Sequence, residues 1–268
     1  MLPAFPSLSR VPTSANKAVL AALVEQIEAR QQHATRHKDM GPIATGWQEI
    51  DAALGGGVAA GALHEWFGDG DERTRNSPWF PPLTLISHVA HRATLADRRS
   101  TIWVGRGCWP YAPALIGADE SKRPFVERSM LIDATTLDER AWAIDLALRC
   151  PAIATVIADG TGLKLAITRR LQLAAASGGA PCLLVRPPWE LSELSAAKTR
   201  WRVRAERSES TEPRWTIELL RCKGVRPMRG EGARWVVRLD DETGNVSLVA
   251  APGERRDETE GSAERRTA

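Results

Sequence analysis

The spacing of apolar positions changes three times along this chain, and each change marks a different kind of element. After Ser14, a suitable N-cap, Leu20, Leu23, Val24 and Ile27 fall at i, i+3, i+4 and i+7, the single apolar face of a helix. A short helix over 47–54 follows, then the glycine turn Gly55-Gly56-Gly57 and a strand over 62–67. From there LTLISHVAHRATLA, LDERAWAIDLALR and LKLAITRRLQLAAAS predict helices, while STIWVG, SMLIDA, IATVIA and PCLLVR predict strands. Short apolar strands separated by helices require a mainly parallel sheet covered on both faces, so the fold class is α/β.

After Pro187-Pro188 the period changes to two. TRWRVRAE, RWTIELLR, RWVVRLD and NVSLVA alternate apolar with polar residues, which predicts an antiparallel extension over 198–250 with one wet face. Residues 253–268 contain no apolar side chain larger than alanine and predict a disordered charged tail. The organisation expected is an N-terminal segment over 1–40, one domain over 41–252 and that tail.

Composition adds little until it is divided. The 268 residues carry 36 bases and 33 acids, a net charge of +3. Residues 1–197 hold 20 of each, 198–238 hold 12 bases and 5 acids, and 239–268 hold 4 and 8. Near-neutrality is therefore a cancellation between a basic extension and an acidic tail, a pattern that fits an anionic partner or simply a solvated strand-rich surface with a disordered end. Four cysteines stand far apart with no C-x-x-C pair, which excludes a zinc knuckle and a thioredoxin-like site. The absence of a signal-peptide core or an apolar run of membrane-spanning length leads to the expectation of a cytoplasmic protein with no membrane partner.

In an α/β fold the turn after the first strand is where a helix N-terminus receives phosphate. Here that turn is GDGDERTRNSPWF, with Gly68, Gly70, Arg73, Arg75 and Ser77. It has no Gly-Lys pair, and Asp69, Asp71 and Glu72 would repel a triphosphate. Asp159, closing IATVIAD, stands where a magnesium-holding acid would, though a lone Asp after a strand also serves its own turn. The strand STIWVG ends in Gly105-Arg106-Gly107 with no acid to activate water, and no metal site or nucleophilic triad has a foothold. Catalytic residues are not expected. Arg200, Arg202 and Arg204 share one face of a strand and, with Lys198, form a candidate DNA-binding stripe; edge protection by charge explains them equally. Trp103 and Trp142 are expected in the core, and Trp79, Trp109 and Trp189 in exposed loops.

Particular words resemble a known family. Thr45-Gly46, Ile50-Asp51 and Leu54-Gly55-Gly56-Gly57 are similar to the lead into the first strand of RecA-type ATPase cores. The runs RRLQLAAASGGAPCLLVRPP and RWTIELLRCKGVRP resemble the RecA-like ImuA family, and the first also resembles the division inhibitor SulA. The resemblance covers about residues 40–240. It implies a RecA-like core with an N-terminal helix, and a damage-inducible SOS-response protein of translesion DNA synthesis. It also implies an adaptor working with an ImuB-like Y-family polymerase homologue and an error-prone DNA polymerase, with RecA and DNA as further contacts. Carried over, the degenerate P-loop falls on Gly68 to Ser77 and the Walker B acid on Asp159, while the P-loop lysine and the catalytic glutamate are absent. No cofactor is expected, and ATP with magnesium is disfavoured. A residual nucleotide-binding ATPase and a SulA-like inhibitor of FtsZ stand as alternatives.

Overall fold

The computed structural model describes residues 41–95, 99–110, 123–207, 212–224, 233–240 and 243–249. The helix expected around Leu20 to Ile27 and the charged tail lie outside the described residues.

The chain enters through a bridge between Ile43 and Val58 and a short helix α1, Gln48–Ala53. Asp51 holds this entry: its Oδ1 accepts from the Thr45 amide and hydroxyl, both at 2.8 Å, and its Oδ2 from the Gly46 amide at 3.2 Å. Gly57, at φ +132°, lies so close to the Ile43 carbonyl that a Cβ would collide with it. The words Thr45-Gly46, Ile50-Asp51 and Leu54-Gly55-Gly56-Gly57 are thus the geometry of one turn, with Ile50 buried beneath it.

Then come β1 (Leu63–Phe67), β2 (Asp69–Gly70), β3 (Trp79–Phe80), α2 (Leu83–Leu95), β4 (Ser100–Val104), α3 (Arg123–Glu127), β5 (Ser129–Ile132) and α4 (Leu137–Arg149). They are followed by β6 (Ile153–Asp159), α5 (Leu165–Gly178), β7 (Cys182–Arg186), β8 (Thr199–Glu206), β9 (Arg214–Cys222), β10 (Arg234–Leu239) and β11 (Val246–Val249). Helix α4 starts on a capping box in which Thr136 Oγ1 accepts from the Glu139 amide and Glu139 accepts from the Thr136 amide.

Nine strands form one sheet in the order β11-β10-β9-β8-β1-β7-β6-β4-β5. The alternating strands after Pro188 divide differently from the sequence reading. Strand β8 is antiparallel to β9 but parallel to β1, with His64 opposite Thr199 and Phe67 opposite Arg202. Its alternation comes from one uncovered face, which a parallel strand near a sheet boundary shares with an antiparallel one. One face of the sheet buries Trp66, Trp103, Trp201, Val203, Ile217 and Val237 under α1 and α2. The other buries Leu63, Val156 and Leu184 under α4 and α5.

Trp103 is buried, as expected, but Trp142 is 66% exposed. Helix α4 lays Ala141, Ile144, Ala147 and Leu148 on the sheet, and Trp142 lies about 100° around the helix from Ala141. Trp79 and Trp109, expected in exposed loops, pack half-buried against the core. All four cysteines are free thiols, and burial pushes the titration of Cys108 and Cys182 upward.

Candidate functional site

The segment after β1 is a hairpin. Gly68 donates to the Arg186 carbonyl at 3.0 Å, and Asp69 and Gly70 then pair antiparallel with Phe80 and Trp79. A Cβ on Gly68 would collide with the Phe80 carbonyl and lie 2.6 Å from Trp79 Cε3, so the glycine makes room for an indole. Gly70 likewise sits against Trp79, whose ring meets Trp189 edge to face at 6.3 Å between centroids. Helix α2 begins only at Leu83, beyond Pro81 and Pro82, so the loop from Gly68 to Ser77 does not run directly into a helix N-terminus.

The charges of this hairpin point in two directions. Asp69 Oδ2 accepts from the Ala205 amide at 3.0 Å, and Glu72 Oε1 takes Arg202 at 3.2 Å and Arg204 at 2.5 Å. Asp71 accepts from the Arg73 amide at 2.8 Å, and a hydrogen bond from the Thr74 side chain holds its carboxyl below the usual range. Arg73 and Arg75 are exposed, and Ser77 Oγ is buried without a partner.

Asp159 closes its own turn. Its Oδ1 accepts from the Thr161 amide at 2.9 Å, and its Oδ2 lies 3.8 Å from Arg140 Nη1. Arg140 also donates to the Thr161 carbonyl at 2.8 Å, so both charges serve the β6 to α5 connection. A Cβ on Gly107 would stand 2.8 Å from Asp159 Oδ2; the turn after β4 therefore needs glycine there to pack on this carboxylate. Asp133, at the end of β5, is engaged in a forked pair with Arg106 at 2.8 and 2.5 Å. The Arg106 hydrogen bond holds the Asp133 carboxyl below its ordinary value. Among the described residues no three His, Cys, Asp or Glu side chains are grouped to hold a metal ion.

The arginine stripe lies on one face of β8, and each member has a carboxylate. Arg200 Nε donates to Glu65 Oε2 at 2.8 Å, Arg202 forks onto Glu218 at 2.9 and 2.6 Å, and Arg204 takes Glu72. Lys198 has no carboxylate within ion-pair distance among the described residues.

Behind the stripe is a buried charge network that sequence reading missed. Arg186 donates to Glu65 Oε1 at 2.7 Å and to Glu190 Oε2 at 3.0 and 2.5 Å, and Glu190 Oε1 accepts from the Gly162 amide at 2.9 Å. Arg186 and Arg200 also lie over the Phe67 ring, 5.7 and 4.8 Å from its centroid. Against the cost of burial, the two glutamates raise the Arg186 titration above its ordinary value. Two sequence signals point to it: a glutamate inside the apolar strand LHEWF, and the i, i+4 pair Arg186 and Glu190.

Comparison with known proteins agrees with this architecture. No protein-family model matches the chain. Protein ImuA from two strains of Caulobacter vibrioides, NA1000 / CB15N and ATCC 19089 / CIP 103742 / CB 15, is 28% identical over 202 residues, 69% of this chain and 80% of each relative. The chain is similar to Protein ImuA over most of its length. A solved structure, that of the RadB recombinase, superposes with a TM-score of 0.56 at 16% identity over 77% of this chain and 99% of that one. The chain has a RecA-like fold: a mostly parallel sheet flanked by helices, with antiparallel C-terminal strands. In this chain the hairpin of Trp79 stands where the resemblance puts a phosphate loop. No helix among the described residues is long and apolar enough to cross a membrane.

Proposed function

We propose that this chain is a non-catalytic, RecA-like adaptor of damage-inducible translesion synthesis. It joins an ImuB-like Y-family polymerase homologue to an error-prone DNA polymerase in the cytoplasm. The observation that carries this reading is the packing of Gly68 and Gly70 against Trp79. A phosphate loop uses its glycines to bring backbone amides onto phosphate oxygens, and its lysine to meet their charge. Here the glycines accommodate an indole, and the hairpin carries no lysine. Asp159 supports the same reading, because one carboxylate oxygen already accepts from an amide and the other faces Arg140.

The test compares capture of the ImuB-like partner by the full chain and by chains lacking 1–40 or 253–268. The full chain captures the partner, and one deletion loses it. No capture by the full chain overturns the adaptor reading. Calorimetry with ATP and magnesium is the companion measurement. Heat of binding abolished by Asp159→Asn would establish the ATPase alternative in its place.

A further inference from the structure

The cations of the extension are not equally matched by acids, and the mismatch is concentrated where β8 begins and β9 ends. Arg200 faces Arg221 across the β8 to β9 ladder, and the Lys223 amide donates to the Lys198 carbonyl at 2.9 Å. These residues are joined to α5 through Ala196, whose amide donates to Thr168 Oγ1 at 3.1 Å and whose carbonyl accepts from Lys223 Nζ at 2.7 Å. Arg169 follows Thr168 on that helix and is exposed. Lys198 Nζ extends to Gly224, 3.6 Å from where a Cβ would stand. Four cations, Arg169, Lys198, Arg221 and Lys223, thus surround one short segment of chain.

The partners of Arg221 and Lys223 are carbonyl oxygens. Arg221 Nη2 donates to Ser195 and Ala197 at 3.0 and 2.9 Å, while its Nε is buried without an acceptor. Among the described residues none of the four has a carboxylate within ion-pair distance. The acid that acts on Arg221 and Lys223 is Glu65, which is already bound by Arg186 and Arg200. The ammonium of Lys223 is accordingly easier to deprotonate than usual, through burial first and then repulsion by Arg221, Arg169 and Lys198. Arg221 is lowered in the same way, by burial and then by Arg200.

We propose that Arg169, Lys198, Arg221 and Lys223 form a binding site for the phosphodiester backbone of a nucleic acid, at the end of the sheet where β8 begins and away from the hairpin that follows β1. Cations left without carboxylates on an open surface are matched by a partner that brings several anionic groups at regular spacing, and a phosphodiester chain does so. The site, with four cations around one segment, suits an extended polyanion better than a single small anion. It also reassigns the sequence-derived stripe. Lys198 belongs to the site, whereas Arg202 and Arg204 hold the hairpin through Glu72, and Arg202 also binds Glu218 on β9. The site does not depend on the adaptor reading, and failure to capture a polymerase component leaves it intact.

The experiment is fluorescence anisotropy of labelled single-stranded and duplex oligonucleotides with the full chain, titrated at several salt concentrations. Arg169→Ala, Lys198→Ala and Lys223→Ala each weaken binding about 3–10-fold, for all sequences alike, and lower the salt slope by roughly one. Arg204→Ala and Arg106→Ala bind as the parent does. Thermal unfolding of each variant separates lost contacts from lost fold, and Arg221 is left unchanged because it ties down the loop at Ser195 and Ala197. Parent-like binding by the folded triple variant overturns the proposal, as does no binding by the parent at about 50 mM salt. Complete competition by millimolar inorganic phosphate overturns it too, since that marks a pocket for one anion.

Discussion

Arg186 and Glu65 meet at 2.7 Å with both side chains closed to solvent, one from the end of β7 and one from the middle of β1. A buried pair is costly to desolvate, and it persists here because every charge is shared: Glu65 with Arg200, and Arg186 with Glu190. The network connects the end of β7 and the turn that follows it to the same strand that leads into the hairpin.

Breaking that network from its centre should be severe. Glu65→Gln leaves Arg186 and Arg200 with Glu190 as the remaining carboxylate, and the expected loss is about 3–5 kcal/mol in urea unfolding. A loss below about 1 kcal/mol would show that the arginines find other acceptors.

His64 makes stability depend on pH. Its Nε2 donates to the Ala59 carbonyl at 2.9 Å, so Nδ1, 2.7 Å from Thr199 Oγ1, accepts, and Trp201 Nε1 donates to the same hydroxyl. This neutral, fully bonded ring has no place for a second proton, and burial brings its pKa down from 6.5 to about 4. Between those values the unfolded chain binds a proton that the folded chain refuses. The stabilisation is complete above pH 6.5 and disappears as pH falls through about 4, a difference of about 3 kcal/mol. Urea midpoints at pH 7, 5.5 and 4 check this, and His64→Gln should flatten the dependence. An unchanged slope in the variant would assign it to other groups.

Gly68→Ala tests the hairpin directly. The added methyl must displace the Phe80 carbonyl or the Trp79 ring, at about 1–3 kcal/mol. Tryptophan emission should shift to the red as Trp79 is lifted away. Neutral stability with unchanged emission would mean that the hairpin yields without strain.

Arg202 and Arg204 share Glu72 yet should behave differently. Arg204, with its side chain half exposed, contributes under about 1 kcal/mol. Arg202 is 22% exposed and binds both Glu218 and Glu72, so Arg202→Ala should cost about 1–3 kcal/mol. A double-mutant cycle with Glu218→Gln isolates that pair.

Element type was legible because it rests on local periodicity. Each run assigned as helix or strand between Trp47 and Val249 returns within a residue or two, and Thr136 and Glu139 explain why α4 begins where it does. The ends of a helix and the face of a strand are decided by residues a few positions apart, which one chain displays in order. The exposure of Trp142 was not legible, since it depends on which side of α4 meets the sheet.

The sequence by itself determined the α/β alternation, the uncovered arginine face of the extension and the missing lysine after β1. Tertiary structure decided what those arginines do. Glu65, Glu72 and Glu218 lie 135, 130 and 16 positions from Arg200, Arg202 and Arg202 respectively, so no local pattern could show which cations are matched and which stay open. Parallel pairing of β8 with β1 brings Glu65 and Glu72 alongside Arg200 and Arg202, antiparallel pairing with β9 brings Glu218, and among the described residues Lys198 and Lys223 are left without a carboxylate at ion-pair distance. Ion pairing acts over a few ångströms in space and is indifferent to separation along the chain.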